Sequence, residues 1–193
     1  MSRAERERII EEKLLEALRR QPSSVPIHRS SIPGIANFHD LLKGREYRHF
    51  HNDSDWNPFK ELMPDVIGNM CPDIVLRSKA TDENRIYIEV KDTNRLADGH
   101  YHVEDSQVVR YFLHLLGMTH KDPDDIGRAM LLCAPSRWFA DPHNAKAWGH
   151  FVEHFSGLAT KFEITIGEVH ADDLCAEVET KANHSLLTTT ARN

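Results

Sequence analysis

Asp73-Ile-Val-Leu-Arg77, the polar turn Lys79-Ala-Thr-Asp-Glu-Asn84 and the run Arg85-Ile-Tyr-Ile-Glu-Val-Lys91 together decide the architecture of this chain. Both runs are short, rich in β-branched residues and separated by a turn, which predicts a β-hairpin. Side chains alternate across a strand, so Ile86, Ile88 and Val90 point one way and Tyr87, Glu89 and Lys91 the other. A carboxylate and an amine therefore stand side by side on one face. Asp73 begins the first run, sixteen positions before Glu89, and a hairpin can bring the two carboxylates opposite each other. Two such groups repel unless a cation lies between them, and hard divalent ions such as Mg²⁺ prefer oxygen ligands of this kind. Lys91 beside a metal-bound water can orient it and offset charge developing on a phosphate. The plainer alternative is a hairpin with solvated charges on one face.

Working outward, residues 3–20 carry Ile10, Leu14, Ala17 and Leu18 on one helical face, and Gln21-Pro-Ser-Ser ends that helix. Residues 21–60 read as an irregular insertion rich in Pro, Ser, His and Asn, with short helices expected near 37–42 and 58–63. Downstream, 92–102 is a polar loop. Residues 104–117 are a helix with Val108, Val109, Phe112, Leu115 and Leu116 on its apolar side. The apolar run 129–133 predicts a strand buried on both faces. A helix over 143–158 and a last strand over 162–169 follow, and residues 183–193 are expected to form a disordered tail. This order predicts a single α/β domain over residues 1–182, with helices on both sides of a mixed sheet.

Pro72-Asp73, fifteen intervening residues and Glu89-Val90-Lys91 resemble the PD-(D/E)xK motif of a nuclease superfamily. Its members include many restriction enzymes, Holliday-junction resolvases and RecB-type exonucleases. The resemblance implies a restriction-endonuclease-like, three-layer core. It also implies that Asp73 and Glu89 hold Mg²⁺ or Mn²⁺, that the main-chain carbonyl of Val90 is a further ligand, and that Lys91 assists the attacking water. It covers residues 60–135; a competing Pro64-Asp65 is followed by too short an apolar run to pair with 85–91. Gln107-Val-Val-Arg-Tyr111 is similar to the QxxxY motif of the RecB and λ-exonuclease branch, which implies that Gln107 and Tyr111 arrange the site and meet the substrate. The bland reading packs Tyr111 in the core and leaves Gln107 in water. Arg110, between them, can reach a phosphate. Many members of the superfamily take another acid from the first helix. Glu7 and Glu11 fall within the apolar arc of helix 3–20, and Glu11 is the candidate third metal ligand, with Glu61 as runner-up.

Lys43-Gly-Arg45-Glu-Tyr47-Arg48-His49-Phe50-His51 mixes basic and aromatic residues, so Arg45 and Arg48 are candidates for nucleic-acid contact. An ordinary polar surface loop accounts for the same residues, and His49 with His51 is a weak transition-metal pair. The net charge of −6 counts against a nucleic-acid coat but not against a metal-dependent enzyme, whose site needs carboxylates. From Phe162 onward six acids face two bases, so nucleic acid is expected to dock elsewhere. Cys71, Cys133 and Cys175 are too few and too scattered for a disulfide framework, a CxxC zinc site or a four-cysteine iron–sulfur cluster. No run is long and apolar enough to span a membrane, and the first residues lack a signal-peptide core, so an intracellular, cytoplasmic protein is expected. The functional expectation is metal-assisted hydrolysis of nucleic acid, DNA first, in recombination, repair, phage replication or defence. A homodimer or an assembly partner would help a small acidic domain grip its substrate. A weakly catalytic nuclease-fold module that binds nucleic acid or protein is the alternative.

Overall fold

The computed structural model describes residues 1–51, 72–92, 107–117, 122 and 124–175. The helix expected at 58–63, Glu61, Pro64-Asp65, most of the 92–102 loop and the tail from 183 lie outside the described residues. Helix α1 spans Arg3–Arg20, opened by a capping box in which Ser2 and Glu5 satisfy each other's backbone N–H groups. It buries Ile10, Leu14, Leu15 and Leu18, and half-buried Ala17 packs against the same core. Among the described residues five strands form one sheet in chain order: β1 Tyr47–His51, β2 Ile74–Ser78, β3 Asn84–Val90, β4 Arg128–Ala134 and β5 Ile164–His170. β1, β2 and β3 are antiparallel neighbours, whereas β4 and β5 run parallel to β3.

Helix α3, Gln107–Gly117, makes the crossover from β3 to β4. The short α4, Ser136–Ala140, and the long α5, Pro142–Lys161, make the crossover from β4 to β5. Alternation divides the sheet's side chains between two cores. Ile74, Leu76, Ile86, Ile88, Val90, Leu131 and Cys133 pack with α1 and α2 (Phe38–Leu42). Val75, Tyr87, Met130, Leu132, Ile164 and Ile166 pack with α3, α4 and α5. The result is an α/β architecture with helices on both faces of a mixed, open sheet. Among the described residues no helix is long and apolar enough to cross a membrane.

The segment expected as an insertion needs correction over its described part. Val25, Ile27, Phe38, Leu41 and Leu42 are buried in the α1 core, so residues 21–51 are part of the domain's structure. His28 and Glu168 exchange backbone hydrogen bonds at 2.8 and 2.9 Å, pinning this segment along β5. Gly167 permits the approach: a Cβ there would stand 2.6 Å from Ile27 Cγ2. Residues 47–51, expected as a loop, form the edge strand. Its composition hides it, because a strand paired on one side, as this one is among the described residues, needs no continuous apolar run and carries Arg48 exposed.

Candidate active site

The expected hairpin forms, and its register sets the site. Ile74 pairs with Ile88, so Asp73, just before β2, stands opposite Glu89 where the ladder ends. Asp73 Oδ2 accepts the Val90 N–H at 2.7 Å, which fixes that carboxylate against the end of β3. Lys91 donates its own N–H to the Cys133 carbonyl on β4 at 2.9 Å. The intervening peptide is trans, so the Val90 carbonyl points away from β4, toward the side where Asp73 lies.

Glu89 is 1% exposed and Lys91 7% exposed. The Lys91 ammonium is paired with Glu89 Oε1, and Glu89 Oε2 is buried without a hydrogen-bond partner among the described residues. A buried carboxylate oxygen left unpaired is costly. An ion or a bound substrate group would relieve it.

Electrostatics point the same way. Burial raises the Asp73 pKa, against the opposing pull of the Val90 N–H and Lys91. Burial, then the Asp73 charge, pushes Glu89 up to about 8, despite Lys91. Burial disfavours the Lys91 ammonium, but Glu89 and Asp73 outweigh it and raise its pKa. α1 adds further acids. Glu11, partly buried, is pushed up to about 7 by burial and then by Asp73 and Glu7, and Glu7 also acts on Asp73 and Glu89. Glu89, Asp73 and Glu7 thus all act on the Lys91 ammonium in a poorly solvated place, with Glu11 acting on Asp73. Oxygen donors in negative excess fit a hard divalent cation such as Mg²⁺ or Mn²⁺. Glu11 reaches the electrostatic neighbourhood of Asp73. It does not form with Asp73 and Glu89 a group of three ligand atoms all within 4.8 Å; among the described residues that arrangement occurs at His28, His170 and Asp173.

The remaining candidates separate. Tyr111 is fully buried, with its ring 6.1 Å from that of Tyr87 in an edge contact. It is a core residue, and a hydroxyl reaching a bound strand does not fit that burial. Gln107 is half-buried at the start of α3. It lies one helical turn, about 6 Å, before Tyr111. Glu89 lies about 7 Å beyond Tyr87 along β3. The two therefore sit at a similar level along the sheet. Arg110 is half-buried on the same helix.

Arg48 is exposed on the edge strand opposite Arg77. Arg45 precedes the end of β1 that pairs with Ser78, whereas Asp73 adjoins the end that pairs with His51. Arg45 is thus about 20 Å away along the strand direction, where it donates to the Asp124 carbonyl at 3.1 Å. The structure does not bring it to the carboxylates.

Two further polar residues were not singled out from the sequence. Asp92, next to Lys91, is 4% exposed and binds Arg6 of α1 through one oxygen and Arg137 of α4 through the other, the latter at 2.6 Å. A charged residue just after a strand reads as loop, and only the fold shows two arginines meeting it. His114 accepts or donates to the Tyr87 hydroxyl at 2.8 Å through Nδ1, and burial lowers its pKa. Its spacing from Gln107 and Tyr111 was the available signal. No protein-family model, no curated protein and no solved structure matches this chain, so the reading of the site rests on its own residues.

Proposed function

We propose that the chain is a divalent-metal-dependent phosphodiester hydrolase acting on nucleic acid, with DNA as the first substrate to test. One observation carries the reading: Asp73, held by the Val90 N–H, faces Glu89 and Lys91 in a buried acidic site where Glu89 Oε2 has no partner among the described residues. Asp73 and Glu89 would hold Mg²⁺ or Mn²⁺, with the Val90 carbonyl directed to the same side. The ion supplies Lewis-acid polarisation and a water of lowered pKa.

Lys91 is the residue placed to act on the reacting atoms. Its ammonium can turn from Glu89 to a water or a phosphoryl oxygen as negative charge grows there. In the reaction water oxygen bonds to phosphorus and the ester P–O bond breaks. One product ends in a phosphate and the other in a hydroxyl that takes up a proton. Burial strengthens each of these electrostatic contacts relative to water.

The test is incubation of labelled single- and double-stranded DNA and RNA with Mg²⁺, with Mn²⁺ or with EDTA, using the natural chain and Glu89→Gln. Cleavage that requires the ion and falls at least about a hundredfold in the variant is expected. Cleavage that survives EDTA, or an undiminished Glu89→Gln enzyme, would refute the assignment of the site. Binding without cleavage under every condition would favour a non-catalytic nucleic-acid module instead.

A further inference from the structure

A second group of side chains, separate from the carboxylate pair, meets at the end of β5. His28 comes from the segment after α1, His170 ends β5, and Asp173 lies in the 3₁₀ turn Asp173–Cys175. One ligand atom from each of the three lies within 4.8 Å of the others. His28 Nε2 and Asp173 Oδ2 are 2.7 Å apart across 145 positions of sequence. The His28 ring stacks on His170 with centroids 4.3 Å apart, and Phe139 covers His170 at 4.8 Å. His170 pairs with Ala134 in register, and β5 lies two strands from β3. The group is therefore about 10 Å across the sheet from Lys91.

We propose that His28, His170 and Asp173 form a transition-metal site, with Zn²⁺ the natural occupant, that clamps the segment after α1 to the end of β5. Two imidazoles and one carboxylate select Zn²⁺ over Mg²⁺, because nitrogen donors suit the softer ion. Zinc ligands stand about 2.0–2.2 Å from the ion, so any two are at most about 4.4 Å apart. Small side-chain turns at His28 and Asp173 reach that limit. Both are over a third exposed, which gives the ion an entry path and room for a water as fourth ligand.

The surroundings support ligation. Glu168 is buried, holds the Trp148 N–H at 2.8 Å and Arg29 at 3.1 Å, and lies 3.3 Å from His170 Nε2 through its second oxygen. With the Nε2 proton directed to Glu168, the lone pair of His170 is on Nδ1, which lies 3.3 Å from the Ser136 hydroxyl, so an ion there would replace that contact, and a carboxylate behind an imidazole raises its basicity as a ligand. The clamp also has a mechanical consequence. Residues 27 and 28 lie over Gly167 and Glu168, and an ion would join the front of the chain to the last strand, closing a long loop. This inference does not depend on the hydrolase reading.

The experiment uses the full chain stripped of metal, titrated with Zn²⁺ and, as a visible probe, with Co²⁺. His170→Phe keeps a ring between His28 and Phe139 while removing the nitrogens. Asp173→Asn keeps a side-chain oxygen facing His28 while removing the charge. Both are compared with the natural chain by bound-metal stoichiometry, Co²⁺ absorption and Tm. The natural chain should bind one more equivalent of Zn²⁺ than His170→Phe, show a ligand-field band that the variant lacks, and gain several degrees in Tm that the variant does not. Asp173→Asn should weaken binding at least tenfold. Other histidines, including His150 and His154 four apart on α5, contribute equally to every sample, so the difference reads this site. If His170→Phe fails to fold, Asp173→Asn alone decides. A folded variant with natural stoichiometry, or a natural chain whose Tm does not respond to Zn²⁺, would overturn the proposal. Glu89→Gln should leave the Zn²⁺ response intact, which separates a failure here from a failure of the hydrolase reading.

Discussion

The ends of β3 and β5 lie at the same edge of one sheet, yet they gather opposite chemistry. At β3 the candidate ligand atoms are carboxylate oxygens, Glu89 is 1% exposed, and the pieces lie within a hairpin of adjacent strands. At β5 two of the three candidate ligands are imidazoles, all three residues are partly exposed, and they come from opposite ends of the chain. Burial makes the first site electrostatically tense without a cation; exposure leaves the second relaxed and accessible. Under the two proposals the dry site does the chemistry and the wet one the anchoring.

The largest effect that separates them belongs to Lys91. Lys91→Ala should lower cleavage by about a hundredfold or more while Mg²⁺ affinity is retained, because the ammonium is not a ligand. The same variant should keep the Zn²⁺-dependent rise in Tm. Single-turnover rates and Mg²⁺ titration check this; full activity would reduce Lys91 to a counter-ion for Glu89.

Gln107→Leu comes next, with an expected loss of about tenfold to a hundredfold, felt in kcat more than in KM. Gln107 sits level with Glu89 on the facing helix, and a positioned amide matters most while charge develops. Unchanged kcat would cancel any part for α3 in the chemistry.

Stability against pH sharpens the comparison further. Glu89 and Glu11 are raised to about 8 and about 7, from an unfolded carboxyl value near about 4.3. Raised folded values mean that the stability they contribute is complete below the unfolded value and lost as pH climbs through about 7 to 8. Metal-free Tm should therefore fall by several degrees between pH 6 and 9. Saturating Mg²⁺ should restore most of the loss at pH 9, since the ion favours the ionised carboxylates. A flat profile in scanning calorimetry would show that these acids are not crowded.

The smallest expected effect is at Arg45. Arg45→Ala, about 20 Å from Asp73 along the strand direction, should change affinity for labelled DNA less than about twofold. A larger loss in fluorescence anisotropy would extend the substrate path along β1.

Much of the dry site was legible because its information is local. Alternation assigned Glu89 and Lys91 to one face, whereas a register shift between Leu76 and Arg77, which the turn does not announce, sets Asp73 opposite Glu89. The helical period likewise placed Glu7 and Glu11 on the buried side of α1, and both act on Asp73 in the fold. The same reasoning left the part of Tyr111 open, since a helix face says what shares a side but not what covers it. Packing against Tyr87 decided that its ring is core. Edge strand β1 was missed because one-sided pairing does not demand the apolar run by which central strands are recognised.

What the sequence determined by itself is therefore the hairpin, the flanking helices, the doubly buried β4 and the shared face of Glu89 and Lys91. Each follows from a period of two or 3.6 residues over a short stretch. The tertiary structure alone decided that residues 21–51 belong to the core, that Asp92 gathers Arg6 and Arg137, and that His28 meets His170 and Asp173. These depend on distant segments approaching closely, as at Gly167, where the absence of a side chain lets Ile27 settle over β5. Local periodicity carries no record of such an approach, because it is set by the shapes of two surfaces that meet only once the chain has folded.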